Sequence, residues 1–226
     1  MGVDIVDLFK GIAVVIDDEI INPTANIHNI LKQLKSQNIP LLTYTSIPFD
    51  EASYFQNLAF VLLDWRLIKQ DVSSEAVETG VTIPATLQSY EAKDNIEFIK
   101  KLKEICFCPI FIFTNEDPDV VINKLESEGL YSKNKPNHIF VKSKNDLKGK
   151  NKLFSEIKKW LKNNPSIYVL KEWEREYQKS KNKLFTDFQE LSPIWPKIMW
   201  KCFEDDGVNK SFELGATCKI ISQQAA

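Results

Sequence analysis

The sequence predicts an α/β protein built around a parallel β-sheet, and two features support this fold class. Short runs rich in valine, isoleucine, leucine and phenylalanine recur between residues 12 and 141. Near-continuous apolar runs are typical of strands that are buried on both faces, as in parallel sheets. The segments between these runs carry apolar residues at helical spacing. Strands that alternate with helices favour βαβ units.

Five strands are predicted, at residues 12–16, 39–44, 58–63, 109–113 and 138–141. The intervening helices are predicted from apolar spacing together with start and stop signals: starts at Asn22-Pro23-Thr24 and Asp94, and ends at Gly129 and Asn163-Asn164-Pro165. Five such units favour a flavodoxin-like sheet with strand order 2-1-3-4-5 and helices on both faces.

One segment, residues 65–93, interrupts this alternation. It is polar, contains Gly80 and Pro84, and is too long for an ordinary connection between a strand and a helix. Loops of this length are usually functional or disordered. We therefore interpret it as an insert after the third strand.

The sequence pattern changes after residue 164, which predicts a first domain at 1–164 and a helical extension at 165–226. Apolar residues in the extension follow alternating three- and four-residue steps at Leu170, Trp173, Tyr177, Leu184 and Leu191, with Ser180 and Asp187 at intervening seam positions. Such spacing is close to a coiled-coil heptad. Two arrangements fit it: a helix packed on the first domain, or a homodimer formed through residues 167–191. The extension would then be a linker, a dimerisation segment or the start of an output region in a longer protein.

Composition excludes several classes of protein. The net charge of −2 gives no sign of a nucleic-acid-binding surface. The four cysteines lack the spacing of a metal site and fit reduced thiols in a cytosolic protein. No apolar run is long enough to cross a membrane, and acidic residues interrupt the N-terminal segment where a signal peptide would be apolar. We therefore expect a cytoplasmic location.

Polar residues stand at the ends of four predicted strands, and these candidate site residues are Asp17, Asp18, Asp64, Thr114 and Lys142. In an open α/β sheet, ligands bind outside the carboxyl ends of the strands, so these side chains should converge on one pocket. Paired carboxylates suit Mg²⁺, which prefers oxygen ligands. An aspartate can also accept a phosphoryl group, which a lysine and a hydroxyl would stabilise.

Four segments, VVIDDE, VLLDWRL, IFIFTNED and IFVKS, resemble the corresponding segments of response-regulator receiver domains. The resemblance spans roughly residues 10–162. It implies that Asp17, Asp18 and Asp64 bind Mg²⁺, that Asp64 is the phosphoacceptor, that Thr114 is the switch residue and that Lys142 contacts the phosphoryl group. The chain departs from the family at Ser143, where the family usually has proline, and in the longer interval between Asp64 and Thr114.

The function expected from this resemblance is a phosphorylation-controlled signal receiver that regulates an attached or bound output. Its partner would be a histidine kinase or phosphotransfer protein, and its chemistry at most self-phosphorylation and autodephosphorylation. Phe140 is the expected aromatic partner of the Thr114 switch. Two alternatives remain: a pseudo-receiver that binds proteins without phosphotransfer, and a Mg²⁺-dependent phosphatase or nuclease. The sequence Asp17-Asp18-Glu19 argues against a haloacid-dehalogenase-like phosphatase, which has Asp-x-Asp after its first strand.

Overall fold

The computed structural model describes residues 11–67, 85–149 and 151–205, together with Phe9 and Gly207. Its centre is a five-stranded parallel sheet with the order β2-β1-β3-β4-β5, which confirms the predicted fold class. The strands are β1 (Ile12–Ile16), β2 (Leu41–Tyr44), β3 (Leu58–Asp64), β4 (Ile110–Thr114) and β5 (Ile139–Ser143).

The described helices are α1 (Ile27–Ser36), α2 (Ala85–Ile105), α3 (Pro118–Ser127), α4 (Lys152–Asn163), α5 (Pro165–Leu191) and α6 (Trp195–Asp205). Short 3-10 helices follow β1 at Asp18–Ile21 and β5 at Lys144–Leu147, and a third precedes β3 at Glu51–Tyr54. None of the helices that the structure describes combines the length and apolar character needed to cross a bilayer.

Two predicted helix starts are wrong. The helix expected to start at Asn22-Pro23-Thr24 begins at Ile27, because the Asn22 side chain accepts hydrogen bonds from the Thr24 backbone N–H and hydroxyl and so forms a turn. The helix expected to start at Asp94 begins at Ala85, within the predicted insert. The insert residues 68–84 lie outside the described residues.

The alternation of side chains along each strand divides the core into two layers. On β4, Ile110 and Ile112 face the layer that contains α2 and α3, whereas Phe111 and Phe113 face the layer that contains α1 and α4. Helices therefore cover both faces of the sheet, as predicted, and the carboxyl ends of the strands form one edge between the two layers.

The described chain divides into two compact units, Met1–Lys171 and Glu172–Ala226. The first turns of α5 belong to the first unit, because Ile167 is buried in its core and the Lys171 ammonium donates to the Leu58 carbonyl at 3.3 Å. The first unit therefore extends to residue 171, seven residues past the predicted boundary at 164. Within the second unit, Phe188 stacks on Trp195 with ring centroids 5.1 Å apart.

A cluster of aromatic rings is centred on Phe111, which is fully buried. Its ring lies 5.4 Å from that of Phe60, 5.5 Å from that of Trp160 and 5.9 Å from that of Phe9, all in edge-to-face geometry. Aromatic pairs in this geometry contribute beyond their burial alone. The cluster fixes β4 against α4 and so sets the position of the strand that ends at Thr114.

Phe111→Ala should lower the free energy of unfolding by about 3–5 kcal/mol, because the surrounding rings cannot close the resulting cavity fully. Urea denaturation would measure this. Tyr54→Ala is the matched control, since that ring is exposed, and its effect should stay within about 0.5 kcal/mol. Equal stability losses in the two variants would contradict the central role of this cluster.

Candidate functional site

Three carboxylates meet at the carboxyl edge of the sheet. Asp17 follows β1, Asp18 begins the next 3-10 helix, and Asp64 is the last residue of β3, the strand that pairs with β1. One carboxylate oxygen from each residue lies within 4.8 Å of the others. Asp17 and Asp64 are buried, and Asp18 is half-buried. The structure thus brings together the three acids that the sequence predicted would converge.

Backbone groups fix one oxygen of each buried aspartate. The Oδ1 atom of Asp17 accepts a hydrogen bond of 2.9 Å from the Glu19 N–H, which caps the 3-10 helix that begins there. The Oδ1 atom of Asp64 accepts one of 3.2 Å from the Arg66 N–H. The Oδ2 atom of each of these two aspartates accepts a hydrogen bond from a lysine ammonium.

The cation between these carboxylates is Lys144, a residue that the sequence analysis missed. Its Nζ atom lies 2.8 Å from Asp17 Oδ2, 2.7 Å from Asp64 Oδ2 and 3.6 Å from Glu19 Oε2. The ammonium donates hydrogen bonds to both buried carboxylates, and its side chain is completely buried. Lys144 is the first residue of the 3-10 helix that follows β5.

The predicted lysine, Lys142, lies elsewhere. Its ammonium is 3.3 Å from Asp146 and 3.6 Å from Glu156 of α4. The reason is the length of β5, which continues to Ser143 instead of ending at Val141, so that Lys142 is still inside the strand. Its register partner is Phe113, so its side chain projects toward the α4 layer. The sequence IFVKSK contains two lysines, Lys142 and Lys144. Only the observed end of β5 shows which of them lies beside the carboxylates.

Thr114 occupies the expected place at the end of β4, and Phe140 does not. Thr114 is buried, and its hydroxyl oxygen accepts a 3.0 Å hydrogen bond from the Glu116 N–H. Phe140 pairs with Phe111 in register and packs on Trp160, on the opposite face of the sheet from Thr114. The predicted partnership between Phe140 and Thr114 is therefore wrong, because the two side chains differ in strand parity.

Asn95 of α2 supports the loop that follows Asp64. Its side-chain amide donates to the Trp65 carbonyl at 2.7 Å and to the Asp64 carbonyl at 3.5 Å. Trp65 itself is buried in the α2 and α3 layer. Further out, Arg66 and Glu116 approach to 3.9 Å and link the loops after β3 and β4. The loop that follows β3 is therefore held by contacts from α2 and from the loop after β4.

Charge in the pocket is unbalanced, since two buried carboxylates share a single ammonium. Burial raises the pKa of the Asp64 carboxyl from 3.8 to about 7; Lys144 opposes this rise and the charge of Asp17 adds to it. Burial alone would lower the pKa of the Lys144 ammonium, but Asp64 and Asp17 outweigh that effect and raise it. Lys144 therefore stays charged, and the excess negative charge makes one carboxyl easy to protonate.

The donor set fits a hard divalent cation. Carboxylate oxygens are the ligands that Mg²⁺ prefers, and Asp17, Asp18 and Asp64 present one each at a short mutual distance. The excess negative charge around Lys144 adds an electrostatic reason for a cation to bind.

Comparisons with known proteins give no family. No family model matches the chain, and no curated protein matches it. A similar solved structure is a yeast Spc42 trimeric coiled-coil segment, amino acids 181–211, fused to another structure. It is 14% identical, with 78% of this chain and 97% of that chain covered, and the TM-score is 0.43. Likeness at this level carries no argument about function.

Replacing the bridging lysine, Lys144→Met, should cost about 3–5 kcal/mol of stability at neutral pH, because two buried carboxylates lose their counter-charge. Lys142→Met, which breaks only partly exposed ion pairs, should cost about 1 kcal/mol or less. Guanidinium denaturation of both variants gives the comparison. The reverse order of effects would contradict the placement of Lys144 at the site.

The deficit of Lys144→Met should also depend on pH. Without the ammonium, the pKa of Asp64 rises further above its unfolded value of 3.8. The folded state then holds more protons than the unfolded state between the two pKa values, so stability falls as pH rises through that range. The wild type loses stability in the same way only up to pH about 7, whereas the variant continues to lose it above that pH, so the stability gap should be smaller at pH 5 than at pH 8.

Proposed function

We propose that the first unit is a signalling receiver of the response-regulator type, which accepts a phosphoryl group on Asp64 and thereby controls an attached or bound output. The observation that carries this proposal is the geometry around Asp64. It ends the central strand β3, contacts the Lys144 ammonium at 2.7 Å and lies beside two further carboxylates. An aspartate, a lysine and an acidic pair are the groups that transfer of a phosphoryl group to a carboxylate requires.

The chemistry follows from the charges. An Asp64 carboxylate oxygen attacks the phosphorus of a phosphohistidine on a kinase or phosphotransfer protein. The P–N bond breaks, and its electron pair stays on the imidazole nitrogen. The Lys144 ammonium, already beside Asp64 Oδ2, neutralises the arriving phosphoryl oxygens, and the Thr114 hydroxyl can donate to them. Asp17, Asp18 and Asp64 would hold Mg²⁺, which supplies further positive charge for the transferred group.

The output would respond through the layer that contains Thr114. The phosphoryl group adds about −1.5 to −2 charge. Thr114 shares its face of the sheet with Val141, which packs in the same cluster as Val121 and Leu125 of α3. A shift of Thr114 toward Asp64 would therefore be transmitted to β5 and α3. We place this receiver in the cytoplasm, where phosphodonor proteins of this class act.

A second candidate is a pseudo-receiver that binds a protein partner without phosphotransfer. The observation in its favour is the burial of Asp64, which is 4% exposed and has Oδ1 bonded to the Arg66 N–H and Oδ2 bonded to Lys144. A nucleophile this enclosed must become accessible before it can react. Phosphorylation assays on the intact chain separate the two functions.

Acetyl phosphate with Mg²⁺ should add one phosphoryl group to the wild-type protein, observed as intact mass. Asp64→Asn should not gain the group, because an amide cannot form the aspartyl phosphate. Asp119→Asn, a change of the same chemistry in the exposed first turn of α3, is the matched control and should be labelled like the wild type.

Labelling of Asp64→Asn to the wild-type level would disprove the acceptor assignment. No labelling of any of the three proteins, with Mg²⁺ binding intact, would reject the receiver and favour the pseudo-receiver.

Mg²⁺ affinity, measured by calorimetry, should rise between pH 6 and pH 8, because protons compete with the metal for Asp64, whose pKa is about 7. Below that pKa, the Mg²⁺ affinity should change by about tenfold per pH unit. Asp18→Asn should weaken binding while keeping the pH dependence, since Asp64 is its source. A pH-independent affinity would show that the metal does not bind Asp64.

A further inference from the structure

The second unit exposes a stripe of large apolar side chains on α5. Trp173, Tyr177 and Leu184 are 69%, 65% and 47% exposed. They follow four- and seven-residue steps, so they lie on one side of the helix, with Ser180 between them. We name residues 173, 177, 180 and 184 the seam. Aligned apolar side chains of this size, flanked by charge, mark an interaction surface.

Charged residues border the seam in an ordered way. Glu174 and Lys181 lie one heptad apart on one flank, and Glu176 and Lys183 lie one heptad apart on the other. Both flanks are therefore acidic beside Trp173 and basic beside Leu184. A surface whose two halves carry opposite charge is complementary to itself when it is turned end to end.

We infer that two copies of this chain pair antiparallel through the seam. In this arrangement, Trp173 of one copy packs beside Leu184 of the other, and Tyr177 packs beside Ser180. In each of the two central layers, the Tyr177 ring of one copy meets the small Ser180 side chain of the other, so the layers can interdigitate. The interface is isologous, as expected for a two-fold dimer.

The flanking charges then pair across the dimer. Antiparallel helices bring together equivalent flanks, so Glu174 faces Lys181 of the second copy and Glu176 faces Lys183 of the second copy. Two-fold symmetry repeats both pairs, which makes every one of these flanking contacts attractive. Charges at such flanking positions set partner choice and orientation in helical pairs.

Parallel pairing is disfavoured by the same residues. It would place Asp187, at the next heptad core position beyond the seam, directly opposite Asp187 of the second copy, and like charges at such a position repel. It would also stack Ser180 on Ser180 and lose the Glu174 contact with lysine. The sequence of α5 therefore specifies the antiparallel orientation, independently of whether Asp64 is phosphorylated.

Sedimentation equilibrium of the full chain should show a concentration-dependent dimer, weak because the seam has few layers. Glu176→Lys and Lys183→Glu should each weaken self-association roughly tenfold, since each places like charges opposite one another in both symmetric pairs. An equimolar mixture of the two variants should recover wild-type association as a heterodimer, because every such pair is again of opposite charge.

Glu172→Lys is the matched control: it makes the same change of charge and also removes an ion pair within the helix, to Arg175, but it lies off the seam and its flanks. It should dimerise like the wild type. In a parallel pair, Glu176 would instead face Lys181 of the second copy. If association recovers when Glu176→Lys is mixed with Lys181→Glu, but not when it is mixed with Lys183→Glu, the pair is parallel and the proposed orientation is overturned. A wild-type chain that stays monomeric at every concentration would overturn the dimer itself.

Discussion

The contact on which the carboxyl edge of the sheet depends is the ammonium of Lys144 between Asp17 and Asp64. Burying two carboxylates at the ends of adjacent strands is costly unless a cation shares their pocket. The fold supplies that cation from beyond β5, which is separated from β3 by β4. The ion pair consequently connects the carboxyl ends of β1 and β3 to the segment after β5, the strand at one edge of the sheet.

The same contact sets the electrostatics of the site. One ammonium cannot balance the surrounding acids, and burial raises the pKa of Asp64 to about 7. A site in this condition responds to any added positive charge, whether proton or metal ion. Under the proposed function, Lys144 already lies against Asp64 before a phosphodonor arrives, which would lower the reorganisation that phosphoryl transfer requires.

Most of the sheet could be predicted from the sequence, because a parallel strand buried on both faces must be apolar throughout. All five strands lie at the predicted runs, and the acids that follow β1 meet the acid at the end of β3 as expected. Helix starts were less predictable, since a polar side chain can form a turn with nearby backbone N–H groups where the apolar spacing predicts a helix. The Asn22 side chain bonds its own neighbour Thr24 and delays α1, and nothing in the apolar spacing shows this.

Predicting which lysine lies at the site, and which side chain lies near Thr114, required finer detail than the apolar runs provide. Extending β5 by two residues keeps Lys142 inside the strand and makes Lys144 the first residue beyond it. Strand parity then settles the rest: Phe140 and Lys142 face α4, while Val141 and Thr114 face α2 and α3. Any signal that starts with movement of Thr114 must therefore pass first into the α3 layer, because the sheet itself separates it from Phe140 and Trp160.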